Sequence, residues 1–146
     1  MSEVDGSAPV RDEDAFDVDR VATWLRQEAA GEAGLDGRPE VRQFVGGASN
    51  LTYLLRYAGG PDAGGRDLVL RRPPAGTKAK GAHDMRREYR VLVALAGSSV
   101  PVPRPIALCE DPSVNDHPFY VMEYRPGVVL QHEIPAGYLD RESDRA

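Results

Sequence analysis

The fold is decided by the stretch LVLRRPP at residues 68–74. Its apolar residues favour a β-strand, and the two prolines end that strand because proline cannot donate to the hydrogen-bonded ladder. Side chains alternate along a strand, so Val69 and Arg71 share one face. Leu68 and Leu70 point the other way. A valine followed by an arginine suits the lining of a cleft, although a solvated arginine at the end of the strand also explains Arg71.

The helix predicted at residues 83–96 supplies a partner for Arg71. Its apolar side chains recur at helical spacing on one face: Met85, Tyr89, Leu92 and Ala96. Glu88 borders this apolar face, where an unpaired buried carboxylate would be strongly destabilising. Because a strand packs against the helix that follows it, we expect Glu88 to pair with Arg71. An exposed Glu88 paired with Arg87 or Lys80 is the alternative.

Four more strands and one more helix complete the predicted fold. The helix begins after Asp17, which can cap it, and runs to about residue 30. Apolar and aromatic runs predict the further strands at residues 41–45, 51–57, 106–109 and 119–124. Only one helix lies between the strands, which excludes a doubly wound parallel sheet. We therefore predict an α+β fold, in which a five-stranded antiparallel sheet carries one packed helix and is preceded by an N-terminal helix.

Composition narrows the classes of function. The chain of 146 residues carries a net charge of -5, so it lacks the basic surface that nucleic-acid binding requires. Its one cysteine, Cys109, excludes an intrachain disulfide, and its three histidines lie too far apart to suggest a metal site. No stretch approaches the roughly 20 apolar residues of a membrane span, and the acidic N-terminus is unlike a signal peptide. We expect a cytoplasmic protein without nucleic-acid or membrane partners, and a disordered acidic arm at residues 1–15.

Two other segments bear on function. A glycine pair, Gly46 and Gly47, lies between two predicted strands, where backbone N–H groups can approach an anion. An ordinary hairpin turn also explains this pair. The apolar strand FYVMEY at residues 119–124 runs into RPG at residues 125–127, and backbone exposed there can hydrogen-bond a flat heterocycle. Taken alone, this segment is also explained as a plain core strand.

The order of these features resembles the aminoglycoside phosphotransferase family, which has a protein-kinase-like fold. The resemblance covers about residues 40–130 and is carried by FVGGASNLTY at 44–53, LVLRRPP at 68–74, MRREYRVL at 85–92, VPVP at 100–103 and VMEY at 121–124. The chain looks most similar to the branch whose kinase-like domain is also found fused to some acyl-CoA dehydrogenases. The resemblance implies that residues 16–127 form the N-terminal, nucleotide-binding lobe. Residues 128–146 would leave the hinge and begin the C-terminal lobe.

The resemblance also implies how the phosphates of a nucleotide would be held. Five residues of the glycine turn would cover them: Gly46, Gly47, Ala48, Ser49 and Asn50. Arg71 stands where the family has its phosphate-contacting lysine or arginine, and Glu88 would be the helix carboxylate that pairs with it. The glycine turn lacks the G-x-G-x-x-G spacing, which implies looser phosphate cover. An arginine presents a fork of donors where the more common lysine presents a point charge.

The adenine ring would bind between the third predicted strand and the hinge. Val69 would form part of the ceiling over the ring, and Met122 would be the gatekeeper beside it. The carbonyl group of Glu123 would accept a hydrogen bond from the adenine amino group. The N–H group of Arg125 would donate one to the ring.

The family takes its catalytic machinery from the other lobe. A His-x-Asp-x-x-x-x-Asn loop and a later aspartate act there with Mg²⁺ on ATP. The sequence contains no His-x-Asp, so we assign none of its residues as catalytic or as a metal ligand. We expect the ATP-binding lobe of a phosphotransferase acting on a small hydroxyl substrate, with the catalytic lobe missing from the chain and self-association through the uncovered surface. The rival hypothesis is a non-catalytic nucleotide-binding or protein-interaction module.

Overall fold

The computed structural model describes residues 7–44, 51–73, 85–115 and 117–124. The strands in this part of the chain are β1 (Ser7–Pro9), β2 (Glu40–Phe44), β3 (Leu51–Tyr57), β4 (Arg66–Arg72), β5 (Pro105–Cys109) and β6 (Phe119–Glu123). The helices are α1 (Val18–Glu28) and α2 (Met85–Ala96), and two short 3₁₀ turns span Asp12–Asp14 and Pro61–Ala63. Residues 83 and 84, with which the second helix was predicted to begin, lie outside the described residues.

The six strands form one sheet in the order β1-β2-β3-β4-β6-β5, and every neighbouring pair is antiparallel. All five predicted strands are present and α1 precedes them, so the α+β prediction is confirmed. The predicted count of five strands is wrong, because β1 adds a sixth at the edge. β4 lies inside the sheet between β3 and β6, which places the Arg71 side chain among strands on both sides.

The N-terminal segment is ordered where the structure describes it, which corrects the prediction of a disordered arm at residues 1–15. β1 pairs with β2, and Asp14 is buried. The carboxylate of Asp14 accepts hydrogen bonds from Arg11 Nε at 2.8 Å and Gln43 Nε2 at 2.9 Å. Acidic composition predicted disorder because an unpaired carboxylate resists burial. These donors remove that obstacle, and one of them, Gln43, lies outside the acidic segment. Residues 1–6 lie outside the described residues.

The two faces of the sheet carry separate apolar clusters. The first cluster lies on the face that packs against α1, and its buried members include Val21, Leu25, Tyr53, Leu55, Leu68, Leu70, Phe119 and Val121. The second lies on the α2 side and consists of Val69, Met85, Tyr120 and Met122. The predicted alternation in β4 is confirmed, because Leu68 and Leu70 belong to the first cluster and Val69 to the second.

Each helix is placed largely as its sequence predicts. Asp17 caps α1 by accepting a hydrogen bond from the N–H group of Arg20 at 3.0 Å. In α2, Met85 is buried, and the predicted stripe continues with Tyr89 and Leu92 against the second cluster. Ala96 is exposed in the last turn, where this packed stripe has ended, so its predicted burial is wrong.

One glycine in the β3–β4 connection sets the start of β4. A Cβ atom at Gly65 would lie 1.8 Å from the carbonyl oxygen of Tyr57, whereas one at Gly97 would meet no heavy atom within 4 Å. We expect Gly65→Ala to lower the free energy of unfolding by about 2–3 kcal/mol, because backbone atoms must move. Chemical denaturation measures this, with Gly97→Ala as the matched control that changes stability by less than about 0.5 kcal/mol. Equal stabilities for the two variants would contradict the tight turn.

Candidate functional site

Register brings three polar side chains into line across the centre of the sheet. Thr52 on β3 is directly opposite Arg71 on β4, and Arg71 is directly opposite Tyr120 on β6. Residues that face each other on neighbouring strands project to the same side of a sheet. α2 covers that side and adds Glu88 to the group. The site is therefore assembled from four elements that are distant in sequence.

The predicted pair of Arg71 and Glu88 is confirmed as a contact. Arg71 Nε donates to Glu88 Oε1 at 3.1 Å, and Arg71 Nη1 donates to Thr52 Oγ1 at 2.9 Å. The hydroxyl group of Tyr120 donates to the same oxygen, Glu88 Oε1, at 2.9 Å. The alternative in which Arg71 is a solvated strand-end residue is excluded, because only 7% of its side chain is exposed.

Burial and neighbouring groups set the charges of this site. Burial opposes the charge on the guanidinium of Arg71, but the adjacent Tyr120 and Glu88 groups outweigh it and raise the pKa of Arg71. Burial raises the pKa of Tyr120, so its hydroxyl group keeps the proton that it donates to Glu88. The result is a fixed positive charge with a defined orientation, next to a carboxylate whose side chain is 29% exposed.

An apolar platform continues from this charged group toward the end of β6. Val69 and Met122 are directly opposite each other in register, and both are fully buried. Two half-buried rings pack against the same cluster, Phe44 at the end of β2 and Tyr124 after β6. Their centroids are 6.2 Å apart and their planes differ by 13°. Of the side chains on this platform, the two rings are more open to a ligand than Val69 or Met122.

The end of β6 is held by a cluster of charges. The backbone N–H of Glu123 donates to the carbonyl oxygen of Arg104 at 2.9 Å, and the Glu123 carboxylate accepts from Arg104 Nε at 3.1 Å. Arg104 also donates two hydrogen bonds of 2.9 Å to Glu32. Arg66, on β4, donates to Glu32 at 2.9 Å. This cluster joins the segment after α1 to both β4 and the predicted hinge.

The remaining residues of the predicted site lie outside the described residues: Gly46, Gly47, Ala48, Ser49, Asn50 and Arg125. Within the described ranges, no group of three or more histidine, cysteine, aspartate or glutamate side chains is placed to hold a metal ion. No helix in those ranges combines the length and the apolar character needed to cross a bilayer.

Sequence reasoning missed Thr52, Tyr120, Phe44 and Tyr124. Thr52 and Tyr120 could have been found from the two-residue alternation of β3 and β6, but only with the register of both strands against β4. Phe44 is the last residue of β2 and Tyr124 directly follows β6, and their rings meet although the two strands run in opposite directions. Their sequence signal is an aromatic residue directly before a turn, which is too common to identify a site.

The fold and the Arg71–Glu88 pair define the class of this chain as a protein-kinase-like N-terminal lobe. Residues 40–145 match the model of the phosphotransferase enzyme family, and the chain belongs to that family.

The chain is similar to proteins of two kinds. It is 40% identical over 128 residues to acyl-CoA dehydrogenase family member 10 of Mus musculus, and 34% identical over 125 residues to acyl-CoA dehydrogenase family member 11 of Homo sapiens. These alignments cover 88% and 85% of this chain but 11% and 15% of the relatives. Among solved structures, it resembles a candidate aminoglycoside phosphotransferase from Ralstonia eutropha, with a TM-score of 0.58 and 40% identity over 80% of this chain and 30% of the other. The family resemblance predicted from the sequence is confirmed.

The carboxylate of Glu32 should make the free energy of unfolding depend on pH. Hydrogen bonds from Arg104, followed by those from Arg66, lower the pKa of Glu32 from its ordinary 4.5 to about 2. A pKa that is lower in the folded state contributes stability that is present above the unfolded value and is lost as pH falls through the folded value. We therefore expect Glu32→Gln to be less stable than the wild type by about 1 kcal/mol at pH 7, with the difference disappearing between pH 5 and 2.

Thermal unfolding of both proteins at several pH values measures this effect. Glu28→Gln is the matched control, because it makes the same chemical change at an exposed position at the end of α1. A stability difference for Glu32→Gln that persists at pH 2 would contradict an electrostatic origin.

Proposed function

We propose that this chain is the N-terminal ATP-binding lobe of a small-molecule phosphotransferase, which transfers the γ-phosphate of ATP to a substrate hydroxyl group. The observation that carries this proposal is the buried Arg71, whose guanidinium is oriented by Glu88 on one side and Thr52 on the other. Proteins rarely bury an arginine in a sheet interior unless its charge is used or fully compensated. Membership of the phosphotransferase family and the kinase-like neighbour support the same assignment.

In the proposed complex, Arg71 contacts the phosphates of ATP and Glu88 keeps the guanidinium in place. An arginine suits this role because its planar fork of N–H donors matches the oxygens of a phosphate group. The residues Gly46–Asn50 would cover the phosphates from above. The donor chemistry of these residues fits a nucleotide polyphosphate, so the chain's own contribution is to bind and orient it.

The adenine ring would lie beside the end of β6. The Glu123 carbonyl and the Arg125 N–H would hydrogen-bond its edge, and the half-buried Phe44 and Tyr124 would border it. Because Val69 and Met122 are fully buried, we assign them to the wall behind these rings. The Arg104–Glu32 cluster keeps the Glu123 backbone in place for this contact.

Mg²⁺ would neutralise the phosphate charge of the bound nucleotide, but the described residues do not fit a site for it, because they bring no group of carboxylates together. We therefore place the metal ligands and the catalytic aspartate in a C-terminal lobe. This is consistent with a chain that spans 30% of the solved relative's length. The acceptor pocket would also lie in that lobe, so the name of the relative does not identify the substrate. We place the reaction in the cytoplasm, where ATP is available.

The first test of this function is the variant Arg71→Ala in the full-length protein. Loss of the guanidinium removes a contact to charged phosphate oxygens, so we expect kcat/KM for ATP to fall by about 10²-fold. Steady-state kinetics with varied ATP measure this. Arg90→Ala is the matched control, because Arg90 is exposed on α2 and should leave the kinetics unchanged. Unaltered ATP kinetics in Arg71→Ala would remove the phosphate role.

The second test uses residues 1–146 alone. We expect this chain to transfer no phosphate, to bind ATP weakly and to self-associate, because the surface that faces the other lobe is left uncovered. The apolar VVL at residues 128–130, which lies outside the described residues, follows the predicted hinge in the sequence. Transfer of labelled γ-phosphate, calorimetry and light scattering measure the three properties.

A chain extended by a lobe with a His-x-Asp loop should gain Mg²⁺-dependent transfer. Transfer by residues 1–146 alone would overturn the assignment of catalysis to the C-terminal lobe. ATP binding without turnover in the extended chain would favour the non-catalytic module.

A further inference from the structure

The carboxylate of Glu88 is held from the sheet by two donors. Arg71 Nε and the Tyr120 hydroxyl group both donate to Oε1, at 3.1 and 2.9 Å. The donors stand on adjacent strands, β4 and β6, at positions that are directly opposite in register. The position of α2 over the sheet is therefore supported by an ion pair and by a hydrogen bond from an uncharged donor.

The Tyr120 side chain is the more rigid of the two donors. It is 3% exposed and belongs to the second cluster together with Val69 and Met85. The ring of Tyr89, from α2 itself, lies 5.9 Å away between centroids. A tyrosine has two side-chain torsions, fewer than an arginine, so this packing fixes the direction of its hydroxyl group closely. The Tyr120 hydroxyl group also contacts the Arg71 guanidinium, but an arginine can only donate, so Glu88 is the acceptor for the Tyr120 O–H. A buried O–H donor without an acceptor is unfavourable, so Tyr120 favours the position of α2 in which Glu88 is within reach.

Thr52 completes the arrangement from the other side of Arg71. It is buried on β3, and its hydroxyl oxygen accepts from Arg71 Nη1 at 2.9 Å. The guanidinium is thus oriented by a side chain on a neighbouring strand, independently of the helix. The four residues form a chain of hydrogen bonds, Thr52–Arg71–Glu88–Tyr120, in which Arg71 donates to Thr52 and Glu88, and Glu88 Oε1 accepts from Arg71 and Tyr120.

We propose that Tyr120 is a positioning residue, whose hydroxyl group holds Glu88 and α2 against Arg71 before any nucleotide binds. In kinases, the placement of the equivalent helix controls whether the ion pair is assembled. Here a hydrogen bond from the uncharged Tyr120 hydroxyl group stabilises the assembled position even when no phosphate is present. The consequence for phosphate transfer rests on the proposed function, whereas the effect on α2 does not.

The experiment compares Tyr120→Phe with the wild-type full-length protein in the absence of nucleotide. Removing the hydroxyl group takes away the Tyr120 contact to Glu88 and keeps the Arg71 contact, so we expect backbone amide exchange in α2 to accelerate about tenfold. Tyr89→Phe is the matched control. It also removes a tyrosine hydroxyl group beside the second cluster, but this hydroxyl group makes no hydrogen bond to the described residues. Unchanged exchange in α2 of Tyr120→Phe would overturn the proposal.

Substitutions at Glu88 test the same contact if Tyr120→Phe fails to fold. Glu88→Gln keeps an oxygen that can accept from Tyr120 but removes the charge that pairs with Arg71, whereas Glu88→Ala removes both contacts. We expect α2 to stay protected from exchange in Glu88→Gln and to lose protection in Glu88→Ala. Equal loss in both variants would mean that the ion pair alone holds the helix, and would overturn the role of Tyr120.

Kinetics with varied ATP distinguish a positioning role of Tyr120 from a general effect of the substitution on the stability of the protein. A positioning role predicts that Tyr120→Phe lowers kcat/KM for ATP about tenfold, and that it has no further effect when Glu88 is already alanine. A full effect in the Glu88→Ala background would overturn action through Glu88. If α2 loosens in Tyr120→Phe while the wild type shows no ATP turnover, the proposed function fails and the positioning role stands.

Discussion

The guanidinium of Arg71 carries its charge inside the sheet, where 7% of its side chain is exposed, and that constraint organises one face of the protein. A buried charge is tolerated only when it is paired and hydrogen-bonded. The partners come from β3 and α2, and Tyr120 on β6 contacts the same carboxylate, so the charge ties three strands and a helix together. The energetic requirement of this one side chain thus favours the observed position of α2. A helix shifted along the sheet would leave the arginine without its carboxylate.

The next residue organises the opposite face by the same means. Arg72 projects to the α1 side because side chains alternate along β4. Its Nη2 atom donates to the carbonyl oxygen of Asp14 at 2.6 Å, and its Nε donates to the Tyr53 hydroxyl oxygen at 3.0 Å. The guanidinium also lies over the ring of Phe16, 5.7 Å from its centroid. Two consecutive arginines therefore fasten a different segment to each face of the sheet, α2 on one side and the N-terminal segment on the other. Together with the pairing of β1 and β2, this contact explains why residues 7–15, which are acidic and poor in apolar side chains, are ordered.

The predicted hinge is positioned by charges that lie at the surface. Arg104 and Arg66 both reach Glu32, and Arg104 also holds Glu123 through its carbonyl oxygen and its side chain. These contacts are more exposed than those of Arg71, so each contributes less and salt weakens it. They matter because several of them meet at the end of β6. Together they fix the backbone of the strand end at which a planar ligand would bind, next to the half-buried rings of Phe44 and Tyr124.

The amino-acid sequence by itself determined the α+β class, the five longer strands, both helices and the pairing of Arg71 with Glu88. It could do so because the patterns used lie within single segments of the sequence or between neighbouring ones. These patterns are the alternation in β4, the helical stripe from Met85 to Leu92 and the rule against unpaired buried carboxylates. Only the tertiary structure decided the sixth strand, the order of residues 7–15 and the roles of Thr52 and Tyr120. Each of these depends on a partner at least 19 residues away: Thr52 on Arg71, Tyr120 on Glu88 and Asp14 on Gln43. Strand register creates those partnerships, and register is a property of the assembled sheet that no single segment contains.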